Sequence, residues 1–236
     1  MIINFSVVIP VYNESQNIKN LIDEIILNLK NYQNYEIVVV NDFSDDGTTQ
    51  VLENINKNKN LNIICNSKRL GQSFSIIDGI KNSKFENIVT IDGDGQNNPK
   101  DILKLLDQYF SNDQCYLVSG IRLNRKDTQI KIISSKIANY FRAFILNDDC
   151  ADTGCSLKIF KKDIFLKFPQ FDGLHRFLPA FFKAYGSNNI YLPVDHRPRI
   201  SGISKYGVLE RLFKGIFDIV RVKKLLKKNT KQRYFK

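Results

Sequence analysis

Short apolar runs alternate with segments of helical periodicity through the first 110 residues of the chain. The runs are rich in isoleucine and valine and end in polar residues, whereas the segments between them repeat apolar residues every three or four positions. The pattern predicts strands at residues 5–10, 36–40, 61–65 and 87–91, and helices at residues 17–29, 48–55, 73–82 and 99–109. Four repeats of strand and helix predict an α/β fold with a mostly parallel sheet flanked by helices.

The rest of the chain is less regular and predicts fewer elements. Strands are expected at residues 115–120 and 187–195, and a helix at residues 130–146. Residues 206–228 form an amphipathic basic helix that charges interrupt too often for it to span a bilayer. Two interpretations stay open for this helix: it lies in a membrane interface, or it packs on the domain as an ordinary surface helix.

Positive charge is concentrated at the C-terminal end of the sequence. The 236 residues suit one domain with at most an appendage, and they carry a net charge of +11. Residues 201–236 contain eleven lysines and arginines against two acids, a net charge of +9, which leaves the preceding body near neutral. This asymmetry predicts an anionic partner, either a membrane surface or nucleic acid. Nucleic acid is disfavoured because the tail lacks interleaved aromatic side chains.

The cysteine pattern bears on metal content and on the cellular compartment. Cys65, Cys115, Cys150 and Cys155 form no pair with metal-binding spacing, and no histidine cluster accompanies them. We therefore expect four buried free thiols and no structural zinc. No signal peptide precedes the first predicted strand. These features predict a cytoplasmic protein.

Polar residues follow three of the predicted strands at the point where each strand ends. They are Tyr12-Asn13-Glu14, Asn41-Asp42 and Asp92-Gly93-Asp94-Gly95-Gln96. Ligands of parallel sheets bind beyond these carboxyl ends. Two aspartates one residue apart favour a hard cation such as Mg²⁺ or Mn²⁺, which takes one or two carboxylates and fills its shell with water and phosphate oxygens. A solvated Asp-Gly turn is the alternative for this motif taken alone.

Seven motifs in a fixed order carry a family resemblance. VVIPVYNESQNI (7–18), EIVVVNDFSDDGT (36–48), NSKRLGQSFSIIDGI (66–80) and TIDGDGQNNPKDI (90–102) together resemble the family 2 glycosyltransferases of the GT-A fold. SGIRLNR (119–125), DTGCSLKIF (152–160) and HRPRISGISKYG (196–207) are similar to the dolichol-phosphate-mannose-synthase-like branch of that family. Members of this branch move a sugar from a nucleotide sugar to a polyprenyl phosphate.

The resemblance implies a role for each matching residue. The nucleotide-sugar donor would contact Pro10, Tyr12, Glu14, Asp42, Gly71 and Asp92, with Asp42 hydrogen-bonded to the base. The metal ligands would be Asp92, Asp94 and Gln96. Besides Asp94, the catalytic residues would be Arg122, Arg199 and Lys205, which neutralise the charge gathering between the leaving diphosphate and the phosphate acceptor. Arg125 and Asp152 would be acceptor-side or positioning residues.

The resemblance also implies a reaction. It is an inverting, metal-dependent transfer from a UDP- or GDP-sugar to a polyprenyl phosphate of the dolichyl or undecaprenyl type, in the synthesis of cell-envelope glycans. A phosphate monoester is ionised near neutral pH, so this acceptor needs little help from a general base. Two alternatives stay open: the same donor chemistry with a non-lipid glycan or surface-polymer acceptor, and a non-catalytic binder of membrane or nucleic acid that uses the basic tail.

The expected organisation is one catalytic domain followed by a basic segment. A GT-A domain is predicted over residues 1–205, with a nucleotide-sugar half at 1–110 and an acceptor half at 111–205. Residues 206–236 would form the basic helix and tail. Many bacterial members of the branch carry two C-terminal transmembrane helices, whereas this sequence ends in the basic segment. We therefore expect a peripheral enzyme at the inner face of the cell membrane, held by anionic lipid, with a small membrane protein as a second candidate anchor.

Overall fold

A seven-stranded sheet forms the centre of the molecule. The structure, a computed structural model, describes residues 3–55, 60–122, 141–198 and 208–229, and within the last segment the side chains of residues 215 and 217–227. The strands are β1 (Asn4–Val11), β2 (Asn34–Asn41), β3 (Leu61–Cys65), β4 (Asn87–Thr90), β5 (Leu117–Arg122), β6 (Lys158–Lys161) and β7 (Ile190–Val194). They are ordered β3-β2-β1-β4-β6-β5-β7, and only β6 runs antiparallel to its neighbours β4 and β5.

Helices pack on both faces of this sheet. They are α1 (Ile18–Asn28), α2 (Thr48–Ile55), α3 (Gln72–Lys81), α4 (Asp101–Phe110), α5 (Lys162–Phe165), α6 (Leu178–Ala184) and α7 (Val208–Asn229). Residues 141–146 are also helical, and a 3₁₀ turn covers Leu174–Arg176. These connections keep the carboxyl ends of β1, β2 and β4 at one edge of the sheet, because the three strands are parallel.

Two hydrophobic cores lie on opposite faces of the sheet. Phe5, Val7 and Ile9 of β1 point into the first core with α1, α2 and α4, whereas Val8 points into the second core with α3 and α6. This alternation is the period of two that a strand imposes on its side chains. Each fully buried aliphatic side chain contributes roughly 1.5–3 kcal/mol. The central strands are therefore rigid supports for the polar loops that follow them.

The predicted elements of the first 110 residues are all present, with ends shifted by two residues at most. The prediction of a mostly parallel sheet is confirmed. Strand β6 was not predicted, and most of the predicted helix at 130–146 lies outside the described residues. The expectation of four buried thiols is wrong for Cys65, which is exposed at the end of the edge strand β3.

Helix α7 packs on the body through one face. Val222 is buried in the second core, with Ile219, Leu225 and Leu226 packed against that core. Asp218 of the same face accepts a hydrogen bond of 3.0 Å from Arg176 in the 3₁₀ turn. Within the described ranges, no helix combines the length and apolar character needed to cross a membrane.

Candidate active site

The loop after β4 carries the two aspartates of the predicted metal site. Asp94 is buried, and its carboxylate accepts a hydrogen bond of 3.1 Å from the backbone N–H of Gln96. Gly95 has a φ of 72°, a left-handed conformation that side chains rarely adopt. A Cβ atom on Gly93 would lie 2.5 Å from Val11 at the end of β1. The two glycines therefore let the loop turn tightly against the neighbouring strand.

Asp92 and Asp94 repel each other at this loop. Burial, followed by the Asp94 carboxylate, raises the pKa of Asp92 to about 6, although Ser156, Lys158 and Arg122 act in the opposite direction. The side chain of Gln72, in the first turn of α3, donates a hydrogen bond of 2.7 Å to Asp92. An electrostatically strained pair of carboxylates is a setting that a divalent cation would relieve.

The turn at 152–156 is hydrogen-bonded to the end of β4 and to the loop that follows it. The hydroxyl of Ser156 accepts a hydrogen bond of 3.2 Å from the backbone N–H of Asp92 and donates one of 2.7 Å to Asn97. Its carbonyl accepts a hydrogen bond of 2.6 Å from Thr90 at the end of β4. The turn thus fixes the loop of Asp92 from the side of β6.

Arg122 and Asp152 form a bidentate ion pair beside this loop. The guanidinium Nε and Nη2 atoms each lie 2.7 Å from a carboxylate oxygen of Asp152, and the backbone N–H of Arg122 lies 3.2 Å from one of them. Burial lowers the pKa of Arg122, but the hydrogen bonds and charge of Asp152 outweigh burial and raise it overall. The fully engaged carboxylate fits the predicted positioning role of Asp152, because it has little capacity left to take a proton from a substrate.

Lys158 is a site-forming residue that the sequence interpretation missed. It lies in β6 opposite Thr90, is only 2% exposed, and donates to the backbone carbonyls of Thr153 and Cys155. Burial lowers its pKa, while Cys155, Cys150, Asp152 and Asp92 act against that shift. One signal was available in the sequence: a lone lysine inside the apolar run Leu157–Phe160. Such a lysine is exceptional, because buried charges are rarely tolerated without nearby compensation.

Asp42 organises the donor side of the sheet edge. Its buried carboxylate accepts hydrogen bonds from the side chain of Asn66 at 3.0 Å and from the backbone N–H groups of Leu70 and Gly71 at 2.8 Å each. Three of about four acceptor positions on the carboxylate are therefore used within the chain. This arrangement gives Asp42 a role in shaping the loop at 66–71, beside the predicted contact with the base.

The other predicted donor residues lie at the ends of β1 and the following turn. Tyr12 is half-buried, and the Arg69 guanidinium lies 4.0 Å from the centre of its ring. Pro10 is buried within β1, in register with Val40. Glu14 accepts a hydrogen bond of 2.8 Å from Asn17 at the start of α1. Their predicted contacts with a nucleotide stay predictions.

The segment 195–198 is hydrogen-bonded to the loop after β4, residues 91–97, which we call the metal loop after its predicted role. The backbone N–H of Arg197 donates to the carbonyl of Gln96 at 2.8 Å, and the Gln96 side chain donates to the carbonyl of Arg197 at 3.3 Å. The Arg197 guanidinium pairs with Glu24 of α1 at 2.8 Å and donates to Asn98 at 3.0 Å. These bonds hold the chain beside the loop at Arg197, two residues before the predicted catalytic Arg199.

The structure brings together seven predicted residues. Asp92, Asp94, Gln96, Arg122 and Asp152 lie around the metal loop, Gly71 is joined to them through Gln72, and Asp42 is hydrogen-bonded to Gly71. Arg125, Arg199 and Lys205 lie outside the described residues. No group of three histidine, cysteine, aspartate or glutamate side chains suited to a metal occurs in the part of the chain that the structure describes. Two carboxylates nevertheless fit Mg²⁺ or Mn²⁺, which draw their other ligands from water and substrate phosphates. Asp92 and Asp94 would hold the ion.

Comparison with known proteins places the chain in a family. The family whose profile matches is described as "Glycosyl transferase family 2", over residues 6–168. A dodecaprenyl-phosphate galacturonate synthase from Rhizobium johnstonii is 33% identical over 229 residues, covering 93% of this chain. An undecaprenyl-phosphate 4-deoxy-4-formamido-L-arabinose transferase from Aeromonas hydrophila is 30% identical over 220 residues, covering 91% of this chain. The matched region spans 66% of the length of each of these relatives.

Solved structures agree on the fold. Glucosyl-3-phosphoglycerate synthase from Mycobacterium tuberculosis, in complex with Mn²⁺, UDP and phosphoglyceric acid, superposes with a TM-score of 0.73 at 15% identity. The superposition covers 93% of this chain and 78% of that chain. The sheet order, the family profile and the relatives lead to one assignment: this chain belongs to glycosyl transferase family 2.

Proposed function

We propose that this chain transfers a sugar from a nucleotide-sugar donor to a polyprenyl phosphate, with inversion at the anomeric carbon. The observation that carries the proposal is the site itself. The loop with Asp92 and Asp94 lies at the sheet edge, and the turn at 152–156 is hydrogen-bonded both to this loop and to Arg122. The printed names of two curated relatives support the acceptor class, since one is a dodecaprenyl-phosphate and the other an undecaprenyl-phosphate enzyme.

The proposed chemistry divides between the two sides of the site. The loop shaped by Asp42 would bind the base and ribose of a UDP- or GDP-sugar, with Tyr12 beside it. Asp92 and Asp94, with Gln96 beside them, would hold a divalent ion, which would supply positive charge to the leaving diphosphate. Arg122, and Arg199 and Lys205 from the segment that follows Arg197, would hold the acceptor phosphate against its own charge repulsion.

The acceptor attacks through an ionised phosphate oxygen. The new bond forms between that oxygen and the anomeric carbon as the bond to the diphosphate breaks, so the nucleoside diphosphate leaves with the bonding electrons. No proton has to leave the acceptor at neutral pH. This agrees with the bonding of Asp152, whose two carboxylate oxygens both accept hydrogen bonds from Arg122. Asp152 would then act by positioning Arg122.

The proposal extends to organisation and location. Residues 1–205 would form the catalytic domain, and residues 206–236 would contact the membrane. The enzyme would act at the inner face of the cell membrane in envelope glycan synthesis. Anionic lipid would attract the basic segment, and a small membrane protein is a second candidate anchor.

The test is transfer from a panel of labelled nucleotide sugars to a short, water-soluble polyprenyl phosphate. Asp94→Ala is compared with wild type, and Asp107→Ala, which removes an exposed aspartate from α4, is the matched control. We expect product that requires Mg²⁺ or Mn²⁺, that Asp94→Ala loses by about a hundredfold or more, and that Asp107→Ala retains.

Two outcomes would redirect the proposal. Transfer to glycans or surface-polymer fragments, with none to the polyprenyl phosphate, would keep the donor chemistry and replace the acceptor. Binding of anionic vesicles or nucleic acid without transfer from any donor, unchanged by Asp94→Ala, would favour a non-catalytic binder.

A further inference from the structure

Helix α7 has a second apolar stripe that the body of the protein does not cover. Phe217 is 75% exposed and Val220 is 49% exposed. Lys224 and Lys227 continue the same stripe at helical spacing, and both are exposed. Isolated exposed apolar residues are common on proteins, but a phenylalanine and a valine one turn apart, in line with lysines, form an ordered surface.

The opposite face of the helix fixes how this stripe is presented. Asp218 and Val222 are buried, and Asp218 is hydrogen-bonded to Arg176 at 3.0 Å. Arg221 lies 4.7 Å from the centre of the Phe171 ring. Because these contacts hold one side of α7 on the body, the side with Phe217 and Val220 must point away from it.

The charges around the stripe select its partner. Lys223, Lys224 and Lys227 are exposed near it, and the sequence from residue 201 onward carries a net charge of +9. A second copy of the chain packed on this face would bring like charges together. Nucleic acid would satisfy the lysines, and a base stacks on an aromatic ring, but it offers no apolar layer that covers Phe217 and Val220 together. An anionic bilayer offers both, with phosphate headgroups at the surface and acyl chains just beneath them.

We propose that the stripe formed by Phe217, Val220, Lys224 and Lys227 is a docking surface for an anionic lipid bilayer. The aromatic ring and the valine enter the headgroup boundary, and the lysines contact lipid phosphates. Helix α7 is then a two-sided adaptor, bound to the body by one face and to lipid by the other. The inference rests on the proposed function only for its purpose, which is to bring the active site to a membrane-held acceptor.

The experiment measures co-sedimentation of the full chain with phosphatidylcholine vesicles prepared with and without phosphatidylglycerol. Phe217→Ser and Lys224→Glu each alter an exposed side chain, so neither threatens the fold, and thermal melting checks this. We expect each change to lower partitioning onto the anionic vesicles by about fivefold to tenfold, with weak binding to neutral vesicles throughout.

Helix α1 and the turn that follows it offer a matched control pair. Leu27 is 65% exposed, and Lys30, three residues further on, is exposed as well. Leu27→Ser and Lys30→Glu repeat the same chemical changes away from α7, and we expect them to change vesicle binding less than about twofold.

Three results would overturn the inference. The first is unchanged vesicle binding by both α7 variants. The second is a loss with Lys224→Glu but not with Phe217→Ser, which would indicate electrostatic attraction without docking of the stripe. The third is a concentration-dependent dimer, measured by analytical ultracentrifugation, that Phe217→Ser abolishes. Transfer to the short, soluble polyprenyl phosphate tests the proposed function separately, because Phe217→Ser leaves that reaction unchanged.

Discussion

The balance of charge at single residues determines what the site can bind. Asp92, Asp94 and Asp152 face two cations, Arg122 and Lys158, through direct bonds or electrostatic interaction. With these groups ionised, the cluster has a net charge of −1, and a divalent cation would make it +1. A cluster whose net charge changes from negative to positive when a metal binds would repel a diphosphate without the ion and attract it with the ion.

Asp92→Asn should stabilise the metal-free protein while it abolishes transfer. Because the folded-state pKa of Asp92 is raised to about 6, ionised Asp92 weakens the fold above that pH. This penalty grows as pH rises from about 4 to 6 and is absent below about 4, where folded and unfolded chains are both protonated. Thermal melting in EDTA at pH 8 should show a gain of about 1–2 kcal/mol that shrinks toward pH 4.

The exposed Asp107 of α4 supplies the control for this measurement. Asp107→Asn should change stability by less than about 0.5 kcal/mol at either pH. A lower melting temperature for Asp92→Asn at pH 8 would contradict the idea that Asp92 and Asp94 strain each other in the absence of metal.

Asp152→Asn should impair catalysis without changing the shape of the pH–rate profile. The amide cannot replace the bidentate acceptor of Arg122, so the arginine loses its orientation and kcat/KM should fall about a hundredfold. The guanidinium, whose side chain is only 15% exposed, would lose its partner, and this should also lower the free energy of unfolding by about 2–4 kcal/mol. Asp149→Asn, which affects an exposed pair with Lys183, is the control. Loss of the acidic limb of the profile would instead make Asp152 a general base.

At the scale of elements, the site depends on segments that meet only in the folded chain. The sequence predicted the strands and helices of the first 110 residues because each keeps one hydrophobic period. Strand β6 was not predicted because it begins with the buried Lys158, which interrupts the apolar run, whereas the equally short β4 has an unbroken apolar run.

The residues of the candidate site also fall into two groups: those that one stretch of sequence indicates, and those that only the folded chain brings together. Asp92 and Asp94 were predictable because their spacing lies within one strand end. The bond from Arg122 to Asp152 crosses 30 residues and exists only because β5 and β6 are adjacent and antiparallel. The bonds from Asp42 to the loop at 66–71 likewise required the neighbouring strands β2 and β3.

Glu24→Ala should reduce activity with little effect on stability. Glu24 and Arg197 form an ion pair whose side chains are 39% and 37% exposed, and such a pair contributes about 1 kcal/mol or less. The pair also holds segment 195–198 against α1, directly before Arg199. We expect kcat/KM to fall about tenfold, mainly because the segment is less well ordered when substrate binds.

The same helix provides a matched control. Asp23 pairs with Lys19 on α1, also at the surface, and has no bond to the metal loop in the described structure. Asp23→Ala should match Glu24→Ala in stability and wild type in activity. Equal losses of activity in the two variants would argue against a special role for the Arg197 contact.

At the scale of the whole molecule, charge and chemistry occupy different parts of the chain. The described residues of the candidate site lie within a nearly neutral body, whereas residues 201–236, which include the predicted site residue Lys205, carry +9 of the total charge of +11. Helix α7 joins the two parts, since its inner face is buried on the body and its outer face is basic. This arrangement places most of the positive charge that would attract an anionic surface outside the cluster of Asp92, Asp94, Arg122, Asp152 and Lys158.

Salt should therefore inhibit transfer to a membrane-held acceptor much more than transfer to a soluble one. Raising NaCl from about 0.05 M to about 0.5 M shortens the Debye length to a few ångströms and screens exposed lysines from lipid phosphates. With a long-chain polyprenyl phosphate in phosphatidylglycerol vesicles, we expect the apparent KM to rise about tenfold. With a short acceptor in solution, the buried Arg122–Asp152 pair is screened less, and the change should stay within about twofold. Equal inhibition of both reactions would mean that salt acts at the active site, so that the basic segment has no part in reaching the acceptor.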